Sequence, residues 1–180
     1  MISTAKARLA TVWLSGCSGC HMTFLDQDEA LIDLAQKIDL VYSPIADVKV
    51  FPENVDVTLV EGAVGNEHQQ ELLEFARERT KILISLGDCA VTGNVTALRN
   101  AWSDSANAVL ERAFLETADL NPQIPTEVPA LLPKAHPLHE IVKVDYFIPG
   151  CPPSAGVVNY VITELLAGRT PNMDGKSKYG

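Results

Sequence analysis

Residues 13–24 read WLSGCSGCHMTF. An apolar run (RLATVWL, 8–14) with the composition of a strand meets a glycine-rich turn. Two cysteines, Cys17 and Cys20, stand in that turn with only Ser18 and Gly19 between them. Helical spacing follows: Leu31, Leu34, Ala35 and Ile38 share one face, which predicts a helix over about 21–38. The same alternation repeats along the chain. DLVYSP (39–44), VDVTLVEGAV (55–64), KILISLGDC (81–89) and VDYFIPG (144–150) read as further strands. Leu72, Phe75 and Ala76 predict a helix near 67–80, and Ala106, Val109, Leu110 and Ala113 predict one near 104–117. Val158, Val161, Ile162 and Leu165 predict a last helix that ends at Gly168.

Apolar strands alternating with helices imply a parallel sheet covered on both faces. The expected fold class is α/β, a flavodoxin-like doubly wound parallel sheet of about five strands. Residues 1–180 are expected to form a single domain. Residues 121–140 hold five of the eleven prolines and read as an irregular excursion. Its VPALLPKAHPL stretch is too apolar for a long solvated loop, so packing on a partner is expected.

The composition excludes several classes. With 47% hydrophobic and 21% charged residues in 180, the chain is globular. A formal charge of −9 opposes nucleic-acid binding, which needs a basic face. No apolar stretch approaches the roughly 18 residues of a membrane span. The N-terminus shows neither a secretory pattern nor a twin arginine, so a cytoplasmic location is expected. Cysteines in a reducing compartment serve more often as ligands or redox groups than as disulfides.

All four cysteines follow predicted strands: Cys17 and Cys20 the first, Cys89 the fourth (SLGDCAVTGN) and Cys151 the last (IPGCPPS). Ligands of open α/β sheets bind at that carboxyl edge. Three site types compete. A thioredoxin-like dithiol uses one Cys-X-X-Cys pair and leaves Cys89 and Cys151 unused. A structural four-cysteine zinc site usually comes as two close knuckles, whereas here 68 and 61 residues separate Cys20 from Cys89 and Cys89 from Cys151. A [4Fe–4S] cube takes four thiolates, one per iron, and tolerates such separation. Gly16, Gly19, Gly87, Gly93 and Gly150 leave room for a bulky group beside the thiols, and Pro152 and Pro153 stiffen the last loop.

GCSGC after a strand, VEGAV, LGDCAVTGN and PGCPPS in this order resemble the small subunit of [NiFe] hydrogenases. The likeness is to the compact subunit of soluble bidirectional NAD-reducing enzymes, within the family of the complex I 20 kDa subunit, and covers about residues 8–168. The complex I subunit itself typically opens with adjacent cysteines, unlike this chain. The resemblance implies one [4Fe–4S] cluster on Cys17, Cys20, Cys89 and Cys151, with Glu61 of VEGAV beside it. Glu61 itself reads either as a proton holder or occasional iron neighbour, or as a helix-start acid or hydrogen-bonded turn residue. It implies partners too: a large subunit holding the nickel–iron site, and flavin and iron–sulfur diaphorase subunits. Electrons would pass through this chain towards NAD, or in a related enzyme towards another soluble acceptor such as a deazaflavin. No catalytic bond-breaking residue is expected on the chain itself. The alternative from another class is a zinc-stabilised binding module.

Fold analogy adds a possible FMN site at the same edge, with Ser15, Ser18 or Thr23 turned to a phosphate. His21 reads as an ordinary first-turn residue, His136 and His139 as loop residues, and Trp13 and Trp102 as core or interface. The acids of DQDEALID (26–33) read as a solvated helix face.

Overall fold

The computed structural model describes residues 6–179. Five strands form one parallel sheet: β1 (Ala7–Trp13), β2 (Ile38–Tyr42), β3 (Val55–Glu61), β5 (Thr80–Leu86) and β7 (Tyr146–Ile148). Their spatial order is β2-β1-β3-β5-β7, which is the flavodoxin-like arrangement. Successive residues of the inner strands are buried on opposite faces. Leu9, Leu59 and Ile84 pack with Phe24, Val158, Val161 and Ile162 on one side. Ala10, Val60 and Leu83 pack with Leu73, Ala76 and Ala90 on the other. Burial of both faces explains why these strands read as continuous apolar runs. Ile84, on β5, is fully buried. Ile84→Val is expected to cost about 1 kcal/mol, read as a urea midpoint lowered at constant m-value.

The helices are α1 (Gly19–Leu25), α2 (Ala30–Ala35), α3 (Glu67–Arg79), α4 (Asp88–Thr92), α5 (Ser105–Glu111) and α6 (Ala155–Leu166). α3 carries its own start signal, with the Asn66 side chain accepting the Gln69 N–H at 2.8 Å. A 3-10 stretch, Asn94–Ala101, follows α4, and a π-helical turn, Arg112–Glu116, extends α5.

Three expectations are corrected. The helix expected over 21–38 is two helices, broken at 26–29, where Asp28 takes φ 50°. Buried Gln27 makes the break: its amide donates to Phe24 O at 2.9 Å and its carbonyl accepts from Asn159 of α6 at 2.9 Å. A tertiary partner overrides the helical spacing. The strand expected over 55–64 ends at Glu61, because Gly62 turns the chain with φ 91°.

The excursion is irregular only at its start. β6 (Leu131–His136) pairs antiparallel with β4 (Val64–Asn66), and Leu138 lies in a 3-10 turn, fully buried. Arg99 donates to Leu132 O at 2.9 Å and Asn100 to Ala135 O at 2.7 Å, so side chains cover the outer backbone of β6. Much of VPALLPKAHPL is therefore used within the chain, although Val128 stays exposed. Neither tryptophan enters the core: Trp13 is 46% and Trp102 53% exposed.

Candidate functional site

Register brings the strand ends level. Trp13 pairs with Glu61, Glu61 with Leu86, and Leu86 with Ile148. The row crosses four strands at the carboxyl edge of the sheet. The three cysteine-bearing loops all start from it: Cys17 lies four residues past Trp13, and Cys89 and Cys151 lie three past Leu86 and Ile148. The loops therefore meet. Cys17, Cys20, Cys89 and Cys151 line one small pocket with Gly19, Glu61, Asp88, Gly150 and Pro152. The pocket spans the ends of β1, β3, β5 and β7, a stretch of the sheet edge that includes the β1–β3 crevice where strand order reverses.

Each loop is clamped locally. After β1 the chain pairs with the turn beyond β3: Leu14 N–H donates to Glu61 O (2.8 Å), Ser15 N–H to Ala63 O (3.0 Å) and Ala63 N–H to Ser15 O (2.8 Å). A Cβ on Gly62 would stand 2.7 Å from Ser15 O, so this approach needs glycine. Ser18 takes φ 68° and turns the chain into α1. Asp88 N–H donates to Gly150 O at 2.9 Å, and Gly150 N–H donates to Asp88 Oδ1 at 2.6 Å. This pair ties the Cys89 helix to the Cys151 loop, whose Cys151–Pro152 bond is cis.

Glu61 is 2% exposed. Its Oε2 accepts the His21 N–H at 2.9 Å, and its Oε1 faces the Cys20 N–H at 3.4 Å. The same Oε2 lies against His21 Nδ1. With the carboxylate as acceptor, Nδ1 carries the ring proton. His21 is thus a buried partner of Glu61, not an ordinary first-turn residue. Sequence reasoning also passed over Asp88. Its only mark was an acid directly before a cysteine at a strand end, which does not reveal a bond across 62 residues.

The thiols differ in exposure. Cys17 and Cys151 are exposed, Cys89 is half-buried and Cys20 is buried. Burial, then the Glu61 carboxylate and the three other thiols, pushes the Cys20 thiol well above its ordinary range. The Cys89 thiol is raised too, by burial first and then by Cys151, Cys17, Glu61 and Asp88. A raised value means less thiolate at a given pH. In the metal-free chain at pH 8, iodoacetamide is therefore expected to label Cys20 at least about tenfold more slowly than Cys17, as read by peptide mass spectrometry.

The donor set can be tested against the groups the sequence suggested. A zinc ion needs four sulfurs roughly 3.8 Å apart around one centre. Among the described residues, no three His, Cys, Asp or Glu side chains gather tightly enough for a single ion. Four thiols spread around a shared pocket suit a multi-iron cube, with one iron per thiol. The hydroxyls considered for an FMN phosphate are engaged or buried. Ser15 Oγ donates to Gln69 Oε1 at 2.8 Å, Ser18 Oγ donates to Cys17 O at 2.5 Å, and Thr23 is 5% exposed. FMN therefore gains no support here. His136 lies on β6 beside Glu140 at 2.6 Å, and His139 is exposed; neither lines this pocket.

The chain is similar to several known proteins. The family of the NADH ubiquinone oxidoreductase 20 kDa subunit matches residues 17–165. The delta subunit of the NAD-reducing hydrogenase HoxS of Cupriavidus necator is 41% identical over 170 residues, 91% of this chain and 80% of that protein. The iron-sulfur subunit of the F420-non-reducing hydrogenase of Archaeoglobus profundus is 29% identical over 185 residues, and the match covers 91% of this chain but only 57% of that longer protein. A chain of an NAD+-reducing [NiFe]-hydrogenase, solved in its H2-reduced state, superposes with a TM-score of 0.92 at 40% identity. That match covers 98% of this chain and 100% of the other.

Proposed function

Because this chain belongs to the family of the NADH ubiquinone oxidoreductase 20 kDa subunit, with hydrogenase subunits among its near relatives, we propose that it is the electron-transferring small subunit of a soluble, cytoplasmic [NiFe] hydrogenase. In this reading Cys17, Cys20, Cys89 and Cys151 hold one [4Fe–4S] cluster. The observation that carries it is the convergence of all four thiols, from three loops, on one pocket at the sheet edge. The partners are a large subunit bearing the nickel–iron site and a flavin module that delivers electrons to NAD. The whole chain, 1–180, serves as one cluster-binding domain.

When bound, such a cluster supplies reversible one-electron transfer. The chain's own residues supply the rest. Leu86 and Ile148, 2% and 0% exposed, end the strands beneath the pocket and keep its floor dry. Buried Cys20 anchors the inner side, while exposed Cys17 and Cys151 leave the outer side open to a partner. Gly87 brings the backbone against Cys20 without a side chain. Dryness and backbone approach are the means by which a protein adjusts the potential of such a group.

Anaerobic purification tests the proposal. The protein is expected to be brown, with about four irons per chain, and to co-purify with a nickel-containing subunit. A colourless protein holding one zinc per chain would refute it and favour a binding module.

A further inference from the structure

Glu61 and Asp88 lie deep beside the four thiols, 2% and 3% exposed. Two buried carboxylates next to groups that become thiolates oppose one another electrostatically, and carboxylates are rarely buried without firm partners. Their partners here include main-chain groups of the cysteine loops. Glu61, at the end of β3, reaches across to the loop after β1, where both its oxygens face the N–H groups of Cys20 and His21 and the ring of His21. Asp88, just past β5, reaches across to the loop after β7, where it accepts the N–H of Gly150, the residue before Cys151. Each carboxylate thus stands on one strand end and holds the loop of the neighbouring strand. The Gly150 N–H lies 2.6 Å from Asp88 Oδ1, a close contact between main chain and carboxyl group.

We propose that Glu61 and Asp88 are positioning residues, which set the spacing of the four thiols by gripping the main chain beside Cys20 and Cys151. The inference rests on the cluster reading above, and it takes Glu61 as the hydrogen-bonded turn residue rather than the iron neighbour or proton holder and gives that bond a task. Both oxygens of Glu61 already face hydrogen-bond donors of the turn, so a move towards the thiols would leave buried N–H groups unpaired.

Asp145 provides a control. It makes the same kind of bond, accepting the Leu83 N–H at 2.9 Å, but it precedes β7, at the amino edge of the sheet. The experiment measures iron per chain and the rate of iron release to a chelator, in the complex as purified without oxygen. Glu61→Gln and Asp88→Asn are expected to release iron roughly ten- to a hundredfold faster than wild type, with an altered electron paramagnetic resonance spectrum of the reduced cluster. Asp145→Asn is expected to lower the Tm and leave the release rate unchanged. If Glu61→Gln and Asp88→Asn keep the wild-type rate and spectrum while wild type holds iron, the positioning role is overturned and the cluster reading stands. If all three variants speed release alike, the effect is general loosening and the positioning role is likewise overturned. If wild type holds no iron, the cluster reading falls and the inference falls with it. Hydrogen exchange on wild type decides the matter if the variants do not accumulate. Protected His21 and Gly150 amides are expected, and exchange at free-loop rates overturns the inference.

Discussion

Cys89→Ser is expected, if the four thiols hold the proposed cluster, to reduce iron from about four per chain to less than one and to abolish electron transfer from hydrogen to any external acceptor. A serine hydroxyl is a poor substitute for a soft thiolate, which is the donor that iron–sulfur clusters select. Cys89 is half-buried on the short helix α4, so the loss of its sulfur leaves the two cores of the sheet untouched. Far-ultraviolet circular dichroism is expected to match wild type. A variant that keeps four irons and full turnover would remove Cys89 from the site.

Gly87→Ala is expected to be nearly as severe through a different cause. Gly87 has φ 82° and ψ 162°, a region essentially reserved for glycine, where an alanine costs about 1–3 kcal/mol. Its new Cβ would also lie on top of the Cys20 Sγ, far inside van der Waals contact. Cys20 is buried and has little room to retreat. Strain and overlap together are expected to cost about 3 kcal/mol, or roughly 6–12 °C in Tm, and to displace one of the four thiols. Iron content is therefore expected to fall with stability. Gly156→Ala is the matched comparison, since a Cβ there meets nothing within 4 Å. It is expected to leave iron content unchanged. Equal behaviour of the two variants would show that close approach at Gly87 does not matter.

Both effects concern how the thiols are brought together, and that is where the sequence is least explicit. GCSGC, LGDC and PGCPP announce cysteines at the ends of strands, and the apolar runs announce the strands. The chain alone does not state that Trp13, Glu61, Leu86 and Ile148 fall in one row, because register depends on pairing between distant segments. The break at 26–29 was hidden for a similar reason. Gln27 reads as a helix former until Asn159, 132 residues later, donates a hydrogen bond to its side-chain carbonyl. β6 was hidden because a proline-rich stretch carries no strand signal of its own. Backbone pairing with β4 and the side chains of Arg99 and Asn100 hold it in place.

The sequence by itself therefore determined the alternation of strands and helices, the α/β class and the position of every thiol at a strand end. Those features follow from local periodicity and from glycine and cysteine chemistry. Only the tertiary structure decided that the thiols share one pocket, that His21 and Asp88 belong beside it, and that Glu61 faces the main chain of the turn. Hydrogen bonds between residues 40 to 62 positions apart leave no periodic trace in a chain, so they become visible only when the sheet aligns its ends.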